Sequence, residues 1–226
     1  MQRYVWLCFL CLSCAPTLQG VVSDADVLEK LSYNNEKIQS FRGMGKAYFS
    51  LKEGKGSLEL IVVAKKPGDL RIETGNFFGV PLSVITTREN KMQYYDIPYE
   101  KFYEGKLDAR FLRAILPLNL NQKDLLGLLF FSQKTYEKMK ASPKYRLEFI
   151  GIQKREKDRF YYPRELRLTN THTEEFIHMG WEEFDLNPKA LKPDLFRVQK
   201  PAYATRIEIE GASTANPFFK GDPSAN

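Results

Sequence analysis

From Phe41 onward, apolar residues recur at every second position in a series of short segments, each closed by Gly, Pro or Asn at hairpin spacing. A period of two puts alternate side chains on opposite faces of a strand, so such a chain is committed to an antiparallel sheet with one buried face. The first pair is Phe41 to Lys52 and Lys55 to Lys66, turned at Glu53-Gly54, with Ala47, Phe49 and Leu51 alternating with polar neighbours and Leu58, Leu60, Val62 and Ala64 answering them. Pro67-Gly68-Asp69 turns the chain into Leu70 to Thr74. Pro81 to Arg88 then leads through Glu89-Asn90 into Lys91 to Ile97, completing a meander of about five strands. Strands resume at Tyr145 to Ile150, Phe160 to Thr169 and Glu175 to Asp185, and a last one is expected at Thr205 to Glu210 after a loop holding Pro188, Pro193 and Pro201.

Helical periodicity interrupts this pattern in two places. Ser23 to Gln39 opens on a capping box, Ser23 with Asp26, and places Val27, Leu28, Leu31 and Ile38 on roughly one face. In the middle of the chain, Leu107, Phe111, Leu112, Ile115 and Leu116 have helical spacing up to Pro117, and a second helix starts at Asn121 with Asp124 in its first turn. That second helix carries Leu125, Leu126, Leu128, Leu129, Phe130 and Phe131, apolar nearly all round, and so has to be covered on most sides by core or by ligand. A twisted sheet of this many strands curls, and helices laid on its concave face cover one mouth. The expected fold class is α+β: a curved antiparallel sheet forming an incomplete, half-open β-barrel with helices over the concave face.

The first residues read as an export signal. Arg3 precedes a mostly apolar run from Tyr4 to Leu12, far shorter than the ~20 residues that span a bilayer. Cleavage before Cys14, after Leu12-Ser13, would leave a cysteine to carry diacylglycerol; cleavage near Gly20 would release a soluble protein, though Leu18-Gln19-Gly20 is a poor small-x-small site. The first reading divides the chain into a lipoprotein signal peptide at 1–13, a tether at 14–22, one domain at 23–210 and a disordered tail at 211–226. Ala15 in place of an aspartate favours the outer membrane over the inner.

Composition fits an exported domain with a sizeable core: 226 residues, 43% hydrophobic and 27% charged. Cys8, Cys11 and Cys14 are the only cysteines, so the body of the domain has no thiol to pair. The 34 basic against 28 acidic residues give a net charge of +6 spread along the chain, with no basic run interleaved with aromatics, and no nucleic-acid partner is expected. His172 and His178 are the only histidines, no serine sits in a nucleophile elbow, and Gly43-x-Gly45 and Gly54-x-Gly56 fall in strand and hairpin contexts. Neither an enzyme, a metal site nor a cofactor is expected.

Four stretches resemble the LolA/LolB lipoprotein-carrier superfamily, and its LolB-like members in particular. They are Ser40-Phe41-Arg42-Gly43, Asp69 to Gly79, Leu116-Pro117-Leu118-Asn119 running to Leu125-Leu126-Gly127-Leu128, and Tyr162 to Leu168. The resemblance implies an unclosed barrel whose apolar cavity receives the acyl chains of other lipoproteins from a soluble LolA-like donor. It also implies an anchor at Cys14, an outer-membrane location facing the periplasm, and an exposed apolar residue before a glycine that inserts cargo into the membrane. Phe78 before Gly79 matches that position, with Phe77 beside it. The ending from Asp194-Leu195-Phe196 to Ile209 is more like that of LolA or of broader lipoproteins of this fold. Cavity lining is expected from Leu60, Val62, Leu70, Ile72, Val84, Met92 and Tyr94 on the first sheet and from Phe111, Leu112, Leu125 and Leu129 on the helices. A carrier of another lipid or glycolipid, and a structural lipoprotein with a filled core, are the alternatives.

Overall fold

The computed structural model describes residues 24–34, 37–52, 54–107, 120–155, 159–189 and 191–209. The export segment with Cys14, the expected first mid-chain helix with Phe111 and Leu112, and the tail lie outside the described residues. The chain runs α1 (Asp24–Asn34), β1 (Ser40–Leu51), β2 (Gly54–Lys65), β3 (Asp69–Gly75), β4 (Pro81–Arg88), β5 (Lys91–Asp96) and β6 (Lys101–Lys106). It continues with α2 (Gln122–Leu129), α3 (Gln133–Lys140), β7 (Tyr145–Lys154), β8 (Tyr161–Asn170), β9 (Phe176–Leu186), a 3-10 turn (Pro193–Phe196) and β10 (Thr205–Ile209).

All ten strands form one curved, unclosed sheet in the order β10-β6-β5-β4-β3-β2-β1-β9-β8-β7. Every pairing is antiparallel except that of β10 with β6. The expected strands are present, most with ends shifted by a few residues, while β6 and α3 carry no expectation from the sequence and α1 stops at Asn34, short of Gln39.

Strand register makes the concave face continuous. One row of cross-strand partners runs Phe184, Gly43, Val62, Ile72, Ile85, Tyr94, Tyr103 and Ile207. The next row toward the base runs Leu186, Phe41, Ala64, Leu70, Thr87, Met92 and Gly105. At this base end the interior is solid. The Phe131 ring meets Phe41, Phe149 and Phe184 edge-on at 6.1, 6.5 and 6.5 Å, and Trp181 lies 4.9 Å from Phe41.

Two capped helices roof the concave side. Asn121 accepts the Asp124 N–H through its side chain at 2.8 Å, and Ser132 accepts that of Thr135 at 3.4 Å. Phe131, at a left-handed φ of 52°, divides the two helices and drops its ring into the core. The α1 helix is fastened to β8 by the buried Asn34, which accepts the Tyr161 N–H at 2.9 Å and donates to the Tyr161 carbonyl.

The convex face of β3 to β6 is also covered. Arg71 donates to the Leu195 and Arg197 carbonyls at 3.1 and 3.4 Å, Arg88 donates to that of Pro193 at 3.1 Å, and Gln93 accepts the Val198 N–H at 2.9 Å. Tyr95, Phe102 and Ala204 make a second small core beneath this strap. The stretch from Pro193 to Ile209 is therefore part of the fold, with β10 its last described element.

Candidate lipid-binding cavity

A cavity of about 470 Å³ lies between the concave sheet and α2. That is within the ~300–1,000 Å³ typical of ligand pockets. One wall is Leu58, Leu60, Val62 and Ile72 on β2 and β3; the opposite one is Leu166 and Leu168 on β8 with Ile177 and Met179 on β9. Ala47, Phe49 and Leu51 on β1 form the floor between them, and Leu125, Leu128 and Leu129 of α2 close the roof with Leu120. The alternation in β1 places these residues inward while Arg42 and Met44 face out.

The cavity reaches one end of the sheet only. Leu51, Leu82, Asp96, Pro98 and Tyr99, at or beyond the strand ends, border it there, whereas the base is packed with aromatics. The β3–β4 loop lies at this same end. Asn76 organises it, its Oδ1 accepting the N–H groups of Phe78 and Val80 at 3.0 Å each, with Gly79 at φ 75° completing the turn. The loop therefore has a defined shape, and it leaves Phe77 and Phe78 75% and 86% exposed, their rings 5.7 Å apart. Val80 and, on the β5–β6 loop at the same end of the sheet, Tyr99 are also exposed. Leaving such side chains in water forgoes roughly 1.5–3 kcal/mol of burial apiece.

Polar groups occupy one wall near the mouth: Thr74, Ser83, Tyr94 and Asp96. Burial pushes the Tyr94 phenol well above the ordinary tyrosine range, and Asp96 adds to the effect. Burial likewise raises Asp96, against the Tyr99 N–H and the Lys101 charge, which hold it down. His178 is elsewhere, its Nε2 2.8 Å from Glu165 Oε2. A second depression of about 560 Å³, lined by residues of α1, α2, α3 and the β2–β3 turn, among them Lys66, Lys123, Lys134 and Lys138, lies at the base, at the opposite end from the Phe77–Phe78 loop.

Of the residues expected to line a cavity, Leu60, Val62, Ile72, Tyr94, Leu125 and Leu129 come together around this one. Leu70 and Met92 do not. They face the concave side but stand in the base row beside Phe41 and Ala64, where the core is filled. Val84 is on the wrong face: its cross-strand partners are Glu73 and Tyr95, which belong to the convex row. The β8 and β9 residues and, on the polar wall, Thr74, Ser83 and Asp96 carry no expectation as lining. Their period-two pattern was the available signal, but only register brings those strands next to β1.

A DUF1329 family protein from Desulfovibrio piger superposes over 76% of this chain and 95% of its own, with a TM-score of 0.52 and 11% sequence identity. The two share a fold. A candidate outer membrane lipoprotein-sorting protein domain from Vibrio parahaemolyticus aligns over 75% of this chain and 94% of its own (TM-score 0.45, 8% identity). A LolA superfamily protein from Nitrosomonas europaea aligns over 78% and 98% (TM-score 0.42, 9% identity). No family model and no curated protein matches the sequence.

Proposed function

We propose that this protein is a lipid-anchored, periplasm-facing carrier that takes acyl chains of lipoproteins into the cavity and delivers them to the outer membrane. The observation that carries this reading is the placement of an apolar cavity and an exposed Phe77–Phe78 pair at one end of the same sheet. Acyl burial is worth about 0.8 kcal/mol per methylene, so an apolar cavity holds a chain by area alone, with no bond to make or break. Transfer then runs down an affinity gradient without nucleotide and without a catalytic step. The resemblance of four sequence stretches to LolA/LolB carriers supports the same reading, with a soluble LolA-like donor upstream and Cys14 as the anchor.

A carrier of another lipid or glycolipid is the second reading, favoured by the polar wall of Thr74, Ser83, Tyr94 and Asp96. Mass spectrometry of lipids recovered with the protein purified from its own membrane separates the two: lipoprotein acyl peptides support the first, a distinct lipid the second. A protein that recovers no lipid and displaces no acyl probe is a structural lipoprotein, and the proposal fails.

A further inference from the structure

Thr74, Ser83 and Tyr94 are joined by side-chain hydrogen bonds, and Asp96 stands beside them on the same face of the cavity. Thr74 is the cross-strand partner of Ser83, and Ser83 that of Asp96, so the three share a face near the mouth. Thr74 Oγ1 and Ser83 Oγ are 2.8 Å apart, and Ser83 is also hydrogen-bonded to the Tyr94 side chain. Asp96 accepts the Tyr99 N–H at 3.4 Å and feels the Tyr94 and Tyr103 phenols on its side of the sheet. The charged group facing it is Lys101, its partner on β6, whose ammonium lies 5.7 Å from the centre of the Tyr99 ring and which does not border the cavity. Among the described residues that do, there is no Lys, Arg or His.

These groups sort lipids by their heads. A row of hydroxyls can donate to a carbonyl oxygen, while the Asp96 carboxylate can accept from an O–H or N–H on the same head. An ionised carboxylate in that position would meet another carboxylate in a partly desolvated place, with no cation among the described residues of the cavity wall to offset the repulsion. We propose that the cavity accepts acyl chains joined to a neutral, donor-bearing head, an ester or amide with a free O–H or N–H, and rejects ionised fatty acids, with Asp96 as the discriminating residue. This rests on the acyl-carrier reading and specifies its substrate class.

The test is displacement of a neutral fluorescent probe, N-phenyl-1-naphthylamine, by monoolein and by oleate. The two ligands share one chain and differ in the head, and both are used below their aggregation limits at mildly alkaline pH. Monoolein should displace the probe at concentrations about tenfold lower than oleate, the scale expected when a like charge is placed beside a half-buried one. In Asp96→Asn, checked for native folding by circular dichroism, that gap should close to about threefold or less. Lys101→Met should leave the native preference in place. Equal displacement by oleate and monoolein in the native protein, an unchanged ratio in Asp96→Asn, or a preference lost in Lys101→Met would each overturn the assignment while leaving the carrier reading intact. Failure of the probe and of both ligands to bind would remove the carrier reading, and this inference with it.

Discussion

Gly127 of α2 and Thr135 of α3 are in such close contact that a β-carbon on the glycine would lie 1.9 Å from Thr135 Oγ1. Gly127 thus sets how closely the two roof helices approach. Alanine would improve helix propensity by ~0.8–1.0 kcal/mol, but the overlap is too deep for a side chain embedded between two helices to escape. Gly127→Ala should lower stability by about 1–3 kcal/mol in urea titrations. Adding Thr135→Ala, which removes the Oγ1 and Cγ2 atoms, should restore part of the loss.

Filled and empty parts of the interior should respond oppositely to changes in volume. Ala47 borders the cavity between Leu58 and Met179, so Ala47→Phe has free space to enter. It should cost less than the ~1–3 kcal/mol of ordinary overpacking while abolishing displacement of an acyl probe. Leu147, fully buried away from the cavity, should behave as plain core: Leu147→Ala should cost about 2–5 kcal/mol.

Phe78→Glu tests the loop. With the ring 86% exposed, the substitution should leave thermal stability within about 0.5 kcal/mol of native. Acyl binding should persist, and transfer of acylated cargo into liposomes should fall. Unimpaired transfer by a stable Phe78→Glu protein would show that the loop does not insert.

The raised pKa of Asp96 has a definite sign in stability. A carboxyl that ionises at higher pH in the folded than in the unfolded chain favours folding below the unfolded value near ~3.9, and this contribution is lost as pH rises through the folded value. Asp96→Asn should therefore be more stable than native at neutral pH, and the difference should shrink on acidification and vanish below the ordinary carboxylate range. Denaturant midpoints measured from pH 3 to pH 8 would check this (a range set about the ~3.9 reference). A constant difference across that range would contradict it.

Anchoring has its own assay. In the lipoprotein reading, the mature chain begins at an acylated Cys14, and Cys14→Ser should move the protein from the membrane to the soluble fraction. A mature N-terminus near Val21, read by mass spectrometry, would instead identify cleavage near Gly20.

Much of this architecture could be read from periodicity. Strand β4 was expected at Pro81 to Arg88, its observed span, because turn residues bracket it on both sides. The features that escaped have physical causes. In β6, the neighbours Phe102 and Tyr103 are both buried, one toward the strap and the other toward the cavity side, which erases the alternation. Helix α3 offers only Tyr136 and Met139 as large apolar residues and is held by its Ser132 cap and by α2. Val84 was misplaced because the strap gives β4 two covered faces: Thr86, on the convex side, is as buried as Ile85 on the concave one. Leu70 and Met92 show the other limit, since periodicity identifies the inward face but not how far along a strand the packing is solid.

The sheet closes on neither side: β7 and β10 stand at opposite ends of its order, and α2 and α3 lie over the concave surface as a roof that no ladder ties down. Enlarging the interior requires leucines to slide past one another, at ~0.1–0.2 kcal/mol per atom pair, about the bonds that Gln122 of α2 donates to the Gly68 carbonyl and the Thr87 hydroxyl, and leaves every inter-strand hydrogen bond in place. In the carrier reading, room for chains of different length is therefore expected to come from the helices, with the strands as a fixed frame. Amide exchange would register that division of labour as strands β1 to β5 opening only with global unfolding, and α2 opening well before them.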